Sequence, residues 1–148
     1  MSTLSSALTK IICLVLLSVS LPALAQQKAT ATYFAVENYY KAKWGYAEEF
    51  IQLWKTNHYP LLKKAQEKGD IISITASKPR LHGGEDIRWD YRVTIVFRNA
   101  ALAFDPDLTS AYKKQLYPDQ ENYRKAEQHR FEILQSHWDI ETVTDNLD

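Results

Sequence analysis

Cysteine is almost missing from this sequence. The single one, Cys13, lies inside an apolar run, Ile11 to Leu21, that follows Lys10 and ends in Leu21-Pro22-Ala23-Leu24-Ala25. A charged start, a short apolar stretch and small residues at Ala23 and Ala25 make the pattern of a secretory signal peptide cleaved after Ala25; the run is too short and wrongly flanked for a stable membrane span. Cys13 follows Ile12 and sits within the run, whereas a lipoprotein cysteine follows a small residue beyond it, so lipidation is not expected. Removal of residues 1–25 leaves a chain, 26–148, without cysteine. That excludes thiol chemistry and disulfides in a protein expected in the periplasm or outside the cell, and leaves packing or oligomerisation to supply stability.

Excess charge is also missing. The 18 basic residues balance the 18 acidic ones, and loss of Lys10 with the leader leaves a formal charge of −1. Without a basic field, neither nucleic acid nor an anionic lipid surface is an expected partner. Signature motifs are absent too: no G-x-S-x-G, no P-loop, no G-x-G-x-x-G and no H-E-x-x-H. Nor is there an internal repeat, a low-complexity tract or an interdomain linker, so residues 26–148 read as one domain.

Aromatic residues are plentiful, and they outline the fold. Tyr33 to Lys41 reads as an aromatic-rich strand, and Gly45 ends that unit. Glu48 and Glu49 then suit the first turn of a helix, where acids favour the dipole. Tyr46, Phe50, Leu53, Trp54, Leu61, Leu62 and Ala65 recur at helical spacing, and Lys68 followed by Gly69 marks the helix end. Ile71 to Ser77 is a second strand, and Pro79 to Ile87 a loop turning on paired glycines. "RWDYRVTIVF" is a third strand, with Tyr91, Val93, Ile95 and Phe97 on one face and Asp90, Arg92, Thr94 and Val96 on the other. Helical segments follow, from about Asp107 to Tyr117 and from Asp119 to Gln135, with Pro118 between them. His137 to Val143 is the last strand.

The order β-α-β-β-α-β predicts an α+β, ferredoxin-like fold: a four-stranded antiparallel sheet with its helices on one face. The strands carry large side chains on both faces, as Tyr33, Phe34, Val36, Tyr39 and Tyr40 illustrate. A sheet with one wet face alternates more cleanly. The second face is therefore expected to be covered, most economically by a second copy of the chain.

"YYKAKWGYAEEFIQLWKTNHYPLLKKAQEKGDI", Tyr39 to Ile71, resembles the opening of the dimeric α+β barrel superfamily. It is nearest to NIPSNAP-like proteins, with antibiotic-biosynthesis-monooxygenase-like proteins as cousins. The residues that carry the likeness are Lys43, Gly45, Phe50, Pro60 and Gly69. It implies a homodimer that pairs two sheets face to face. As to activity, it implies a range: monooxygenases, isomerases and haem-handling enzymes, beside members without established activity.

Candidate chemistry centres on "WKTNHYP". His58 lies four residues after Trp54, on or beside the sheet-facing stripe. With an ordinary pKa near neutrality it is a candidate general base, and its imidazole is a candidate ligand for a metal or haem iron; the plainer alternative is a hydrogen-bonded histidine at the stripe's edge. Pro60 has no N–H to donate to Thr56 and disfavours helix at Tyr59, so a kink or restart is expected, with carbonyls near Thr56 and Asn57 left in need of a partner. Trp54 is a candidate wall for a small apolar or aromatic ligand, though core packing suits it as well. Asp90 and Arg92 share a strand face and are candidates to pair with each other, to hold an anionic or carbonyl-bearing ligand, or to meet partners across a dimer axis. His82, Glu85 and Asp86 lie close in sequence but lack a metal-ligand spacing, so they read as a plain loop and no metal site is assigned. Trp44, Trp89 and Trp138 read as core or dimer packing, and His129 and His137 as surface or strand-start residues. The expected function is a small-ligand-binding homodimer without a required cofactor. A cofactor-independent monooxygenase or isomerase, and periplasmic haem or metal handling, stand as alternatives.

Overall fold

The computed structural model describes residues 33–81, 83–143, 145 and 147; the leader expected over 1–25, and His82, lie outside them. Strand β1, Phe34–Ala42, leads through a turn into helix α1, Ala47–Leu53, a π-helical turn at Trp54–His58 and helix α2, Tyr59–Lys68. Strands β2, Ile71–Ser77, and β3, Tyr91–Phe97, follow. Three helices then precede the last strand: α3, Ala100–Ala103, α4, Ser110–Leu116, and α5, Gln120–Glu132, before β4, Leu134–Thr142. The sheet order is β2-β3-β1-β4 with every neighbour antiparallel. Each helical connection thus skips one strand, which is the ferredoxin-like plan expected from the sequence.

The register explains where the core sits. Tyr40 pairs with Tyr91, Asn38 with Val93, Val36 with Ile95 and Phe34 with Phe97, so these side chains share the helix-facing side. Along β3 burial alternates strictly, with Tyr91, Val93, Ile95 and Phe97 buried and the residues between them half-buried. Phe50, Ile51 and Trp54 from the first helical segment, Leu61, Leu62 and Ala65 from the second, and Ile133 complete the core.

The broken helix has a local cause. Pro60 has no amide hydrogen and sits in the first turn of α2, where its fixed φ is tolerated. Just upstream the helix widens, and the Tyr59 amide reaches five residues back to the Trp54 carbonyl. The carbonyl expected to be orphaned near Thr56 is satisfied by the Tyr117 hydroxyl, which donates to Thr56 O at 2.8 Å. At the far end Gly69, at φ +86°, lets the Asp70 amide reach back to Ala65 O at 3.0 Å and closes α2.

Several boundaries differ from the sequence reading. β3 begins at Tyr91 rather than Arg88, because Arg88, Trp89 and Asp90 are drawn into contacts with the end of β1. Tyr46 is exposed and precedes α1, while Ile51 is buried in its place. α5 stops at Glu132 because the chain enters β4 at Leu134. The short helix α3 has no apolar period of its own; Asn99 starts it by accepting from the Leu102 amide.

Candidate functional site

Trp54 is the hub. It is 2 % exposed, and its ring lies 5.9 Å from Tyr59, 5.5 Å from Tyr91 and 5.7 Å from His58. On one side, Trp54, Tyr59 and Tyr91 converge with Ile74 and Ala76 on an open cleft of about 420 Å³ between the broken helix and the sheet, with Lys55 at its rim. The aromatic surface is held rigidly. Trp54 is fixed by the π-helical turn, Tyr91 by its place at the start of β3 opposite Tyr40, and Tyr59 by the proline that follows it. Burial raises the Tyr91 hydroxyl above its ordinary pKa, so it stays a neutral donor at physiological pH.

On the other side of Trp54 lies a polar cluster. Arg130, 3 % exposed, grips Glu127 through two parallel bonds, Nε to Oε1 at 3.0 Å and Nη2 to Oε2 at 2.8 Å. His58 sits in the field of this pair and of His137. Burial, then the Arg130 charge, lowers His58 from 6.5 to about 4, and Glu127 offsets part of the shift. The near-neutral histidine expected from the sequence is therefore a neutral imidazole well below its ordinary range. His137 stacks on Tyr40, with ring centroids 4.5 Å apart. Tyr40 is pushed up to about 12 by burial, an effect partly offset by the neighbouring Trp54 indole N–H. That N–H is buried and completes no hydrogen bond of good geometry.

The sequence candidates divide among different places. Trp54 and His58 are neighbours, but only Trp54 lines the aromatic cleft. Asp90 closes the end of the sheet: its carboxylate accepts from Ala42 N at 2.8 Å and from Arg88 Nη1 at 2.8 and 2.6 Å. It pairs with Arg88, not with Arg92. Arg92 lies on the opposite sheet face, where it donates to Ser77 Oγ at 3.2 Å and approaches Glu37 at 3.6 Å. On that face Trp138 stacks parallel to Tyr39 at 5.4 Å, and Trp89 meets Tyr39 edge-on at 5.8 Å. Trp44, expected in packing, is 71 % exposed, with Arg88 over its ring at 4.3 Å. Glu85 is bound by Lys41 and Arg88, which hold its carboxyl below the usual range.

Tyr59 and Tyr91 were not among the sequence candidates. Their signal was present, since Tyr59 precedes the proline and Tyr91 begins the alternating strand, but nothing local says that two such residues share a cavity with Trp54. A larger cleft, about 490 Å³, lies between the β1–α1 and β2–β3 loops. Two of its charged pairs, Lys78 with Glu48 and Arg88 with Asp90, are already closed on themselves. The aromatic cleft is therefore the better candidate. Among the described residues, no group of three or more histidine, cysteine, aspartate or glutamate side chains is placed to hold a metal ion. No helix among them is long and apolar enough to cross a membrane.

No family model matches the chain, and no curated protein matches it. Solved structures do. One is a NIPSNAP family protein from Agrobacterium tumefaciens, 10 % identical, covering 78 % of this chain and 96 % of that one with a TM-score of 0.46. Another is a dimeric protein of unknown function and ferredoxin-like fold from Bacteroides fragilis, 13 % identical, covering 74 % and 94 % with a TM-score of 0.43. A third is a dimeric ferredoxin-like protein from an uncultured marine organism, 6 % identical, covering 80 % and 94 % with a TM-score of 0.47. The likeness is one of fold.

Proposed function

We propose that the protein is an exported homodimer that binds a small apolar or aromatic ligand in the cleft between the broken helix and the sheet. One observation carries the ligand reading: Trp54, Tyr59 and Tyr91 converge there with Ile74 and Ala76, and only Lys55 adds a charge. Concave aromatic and aliphatic walls with few polar groups suit a flat apolar molecule. Lys55 at the rim suits a polar or anionic substituent on it. The arrangement favours binding over catalysis by His58, which lies behind Trp54 with Arg130 and Glu127. Calorimetric titration with 1-naphthol should give saturable binding that Tyr59→Ala weakens at least tenfold, by the loss of one stacking wall worth about 1.5 kcal/mol. Equal affinity in the two proteins would remove the cleft from the function.

The homodimer rests on the open sheet face. Tyr39, Trp89, Trp138 and Ile140 stand there around the Glu37–Arg92 pair, and no described element of the chain covers them. A contiguous aromatic patch with its charges already matched suits a self-complementary interface. Export rests on Lys10, the apolar run and the small residues before Gln26. Native mass spectrometry of protein recovered from the export compartment should give twice the mass of residues 26–148. A single-copy mass would defeat the dimer, and retention of residues 1–25 would defeat the export.

A further inference from the structure

We propose that the cleft between the π-helical turn and the α4–α5 junction is a second binding site, which takes a small neutral ligand presenting a carboxamide or lactam edge. The cleft measures about 370 Å³ and is lined by Asn57, Tyr117, Pro118, Asp119, Asn122 and Tyr123, among others. It shares no lining residue with the aromatic cleft.

Asn57 carries the argument. It is 7 % exposed, and among the described residues its side-chain amide has no hydrogen-bond partner, although it is not sealed off from the cleft. The amide opens on the cleft, where water or a ligand completes its hydrogen bonds. Asn57 lies within the π-helical turn, and such turns recur at functional sites. Several neighbouring polar groups are already engaged. The Tyr117 hydroxyl donates to Thr56 O at 2.8 Å, which fastens the α4–α5 junction to the turn. The Asp119 carboxylate accepts from Asn122 N at 3.0 Å and Asn122 Nδ2 at 2.6 Å and so caps α5. Gln120 donates to the carbonyls of Lys113 and Tyr117.

Asn57, the Tyr123 hydroxyl and the Asn122 amide oxygen remain for a ligand, with Asn57 the most buried of them. Burial, with Glu127 nearby, pushes Tyr123 up to about 12, so its hydroxyl is a neutral donor. Tyr117 and Tyr123 stack at 4.5 Å and 21°, which makes a flat wall. A primary carboxamide offers one donor and one acceptor side by side in a plane. Its complement is another amide edge with N–H and C=O cis, the geometry a lactam ring locks in place. The Asp119 carboxylate is engaged by Asn122 as the α5 cap and would repel an anion, and a neutral amide edge matches the polar groups that remain.

Two-dimensional ¹H–¹⁵N spectra of the side-chain amides test this, with uracil and 2-pyrrolidinone as probes. The expected result is a saturable shift of the Asn57 Nδ2 protons, unchanged by saturating 1-naphthol. Asn57→Leu should weaken binding at least tenfold. If that variant does not fold, Tyr123→Phe keeps the ring, loses the hydroxyl and should weaken binding about threefold or more. Failure of both lactams to shift the Asn57 signals overturns the proposal. So does tighter binding of glucose or acetate at the same residue, or competition with 1-naphthol, which would merge the two clefts into one site. Loss of 1-naphthol binding alone would defeat the aromatic cleft and leave this one standing.

Discussion

Trp54→Ala is expected to destabilise the fold by about 3–5 kcal/mol, the range for removing a fully buried large aromatic side chain. The indole is 2 % exposed and packs against Tyr59, Tyr91 and His58. Its removal opens a cavity at the place where the helix is broken, and Pro60 prevents the backbone there from closing up as a regular helix would. Against a total stability of about 5–15 kcal/mol for an ordinary domain, such a loss is severe. Trp54→Phe is expected to be much milder. It also loses volume, but it removes an indole N–H that is buried without a good partner, and leaving such a donor unpaired is itself costly. Urea unfolding with an unchanged m-value measures both. If alanine costs under about 1 kcal/mol, the aromatic hub is not what joins the helix to the sheet.

Much of this organisation was legible in the sequence because it is local. The alternation in Tyr91 to Phe97 has the period of a strand, and the core-facing set follows from it. Gly69 after Lys68 announces a helix end that only a residue comfortable at φ +86° can make. Pro60 announces a broken helix, and even its stranded carbonyl near Thr56 was foreseeable, since a missing amide must orphan an acceptor. What was not legible is non-local. Tyr117 satisfies that carbonyl from 61 residues away. Asp90 chose Arg88 over Arg92 because the chain before Tyr91 leaves the strand to close the end of the sheet, where Arg88 also reaches Ala42 O, while Arg92 stays in β3 beside Ser77 and Glu37. Asn57 stood on the apolar stripe, three residues after Trp54 and four before Leu61, but its spacing alone does not say that its amide meets a cleft formed by Tyr117 and Tyr123, some sixty residues on.

The surroundings of His58 carry the second large expectation: stability should fall as the pH drops below about 6.5. His58 is held near 4 in the folded protein, against 6.5 when unfolded. Between those values the unfolded chain binds a proton that the folded chain refuses, so ΔG of unfolding rises with pH across this window and levels off outside it. A shift of this size corresponds to about 3.5 kcal/mol at most, since one pKa unit is worth about 1.4 kcal/mol. His129 and His137 also lie beside carboxylates, Glu49 and Asp139. The informative quantity is the difference between wild type and His58→Leu, measured by urea unfolding from pH 4 to 8: it should slope through this window and be flat above pH 7. Parallel curves would mean that His58 is solvated and ordinary. The same measurement bears on chemistry. A histidine that protonates near pH 4 is neutral at pH 7 but a poor proton acceptor, since a general base works best with a pKa near the operating pH. Burial and the Arg130 charge would have to be relieved, by a ligand or by separation of α5 from the π-helical turn, before His58 could act as a base. A flat difference curve would return it to the catalytic candidates.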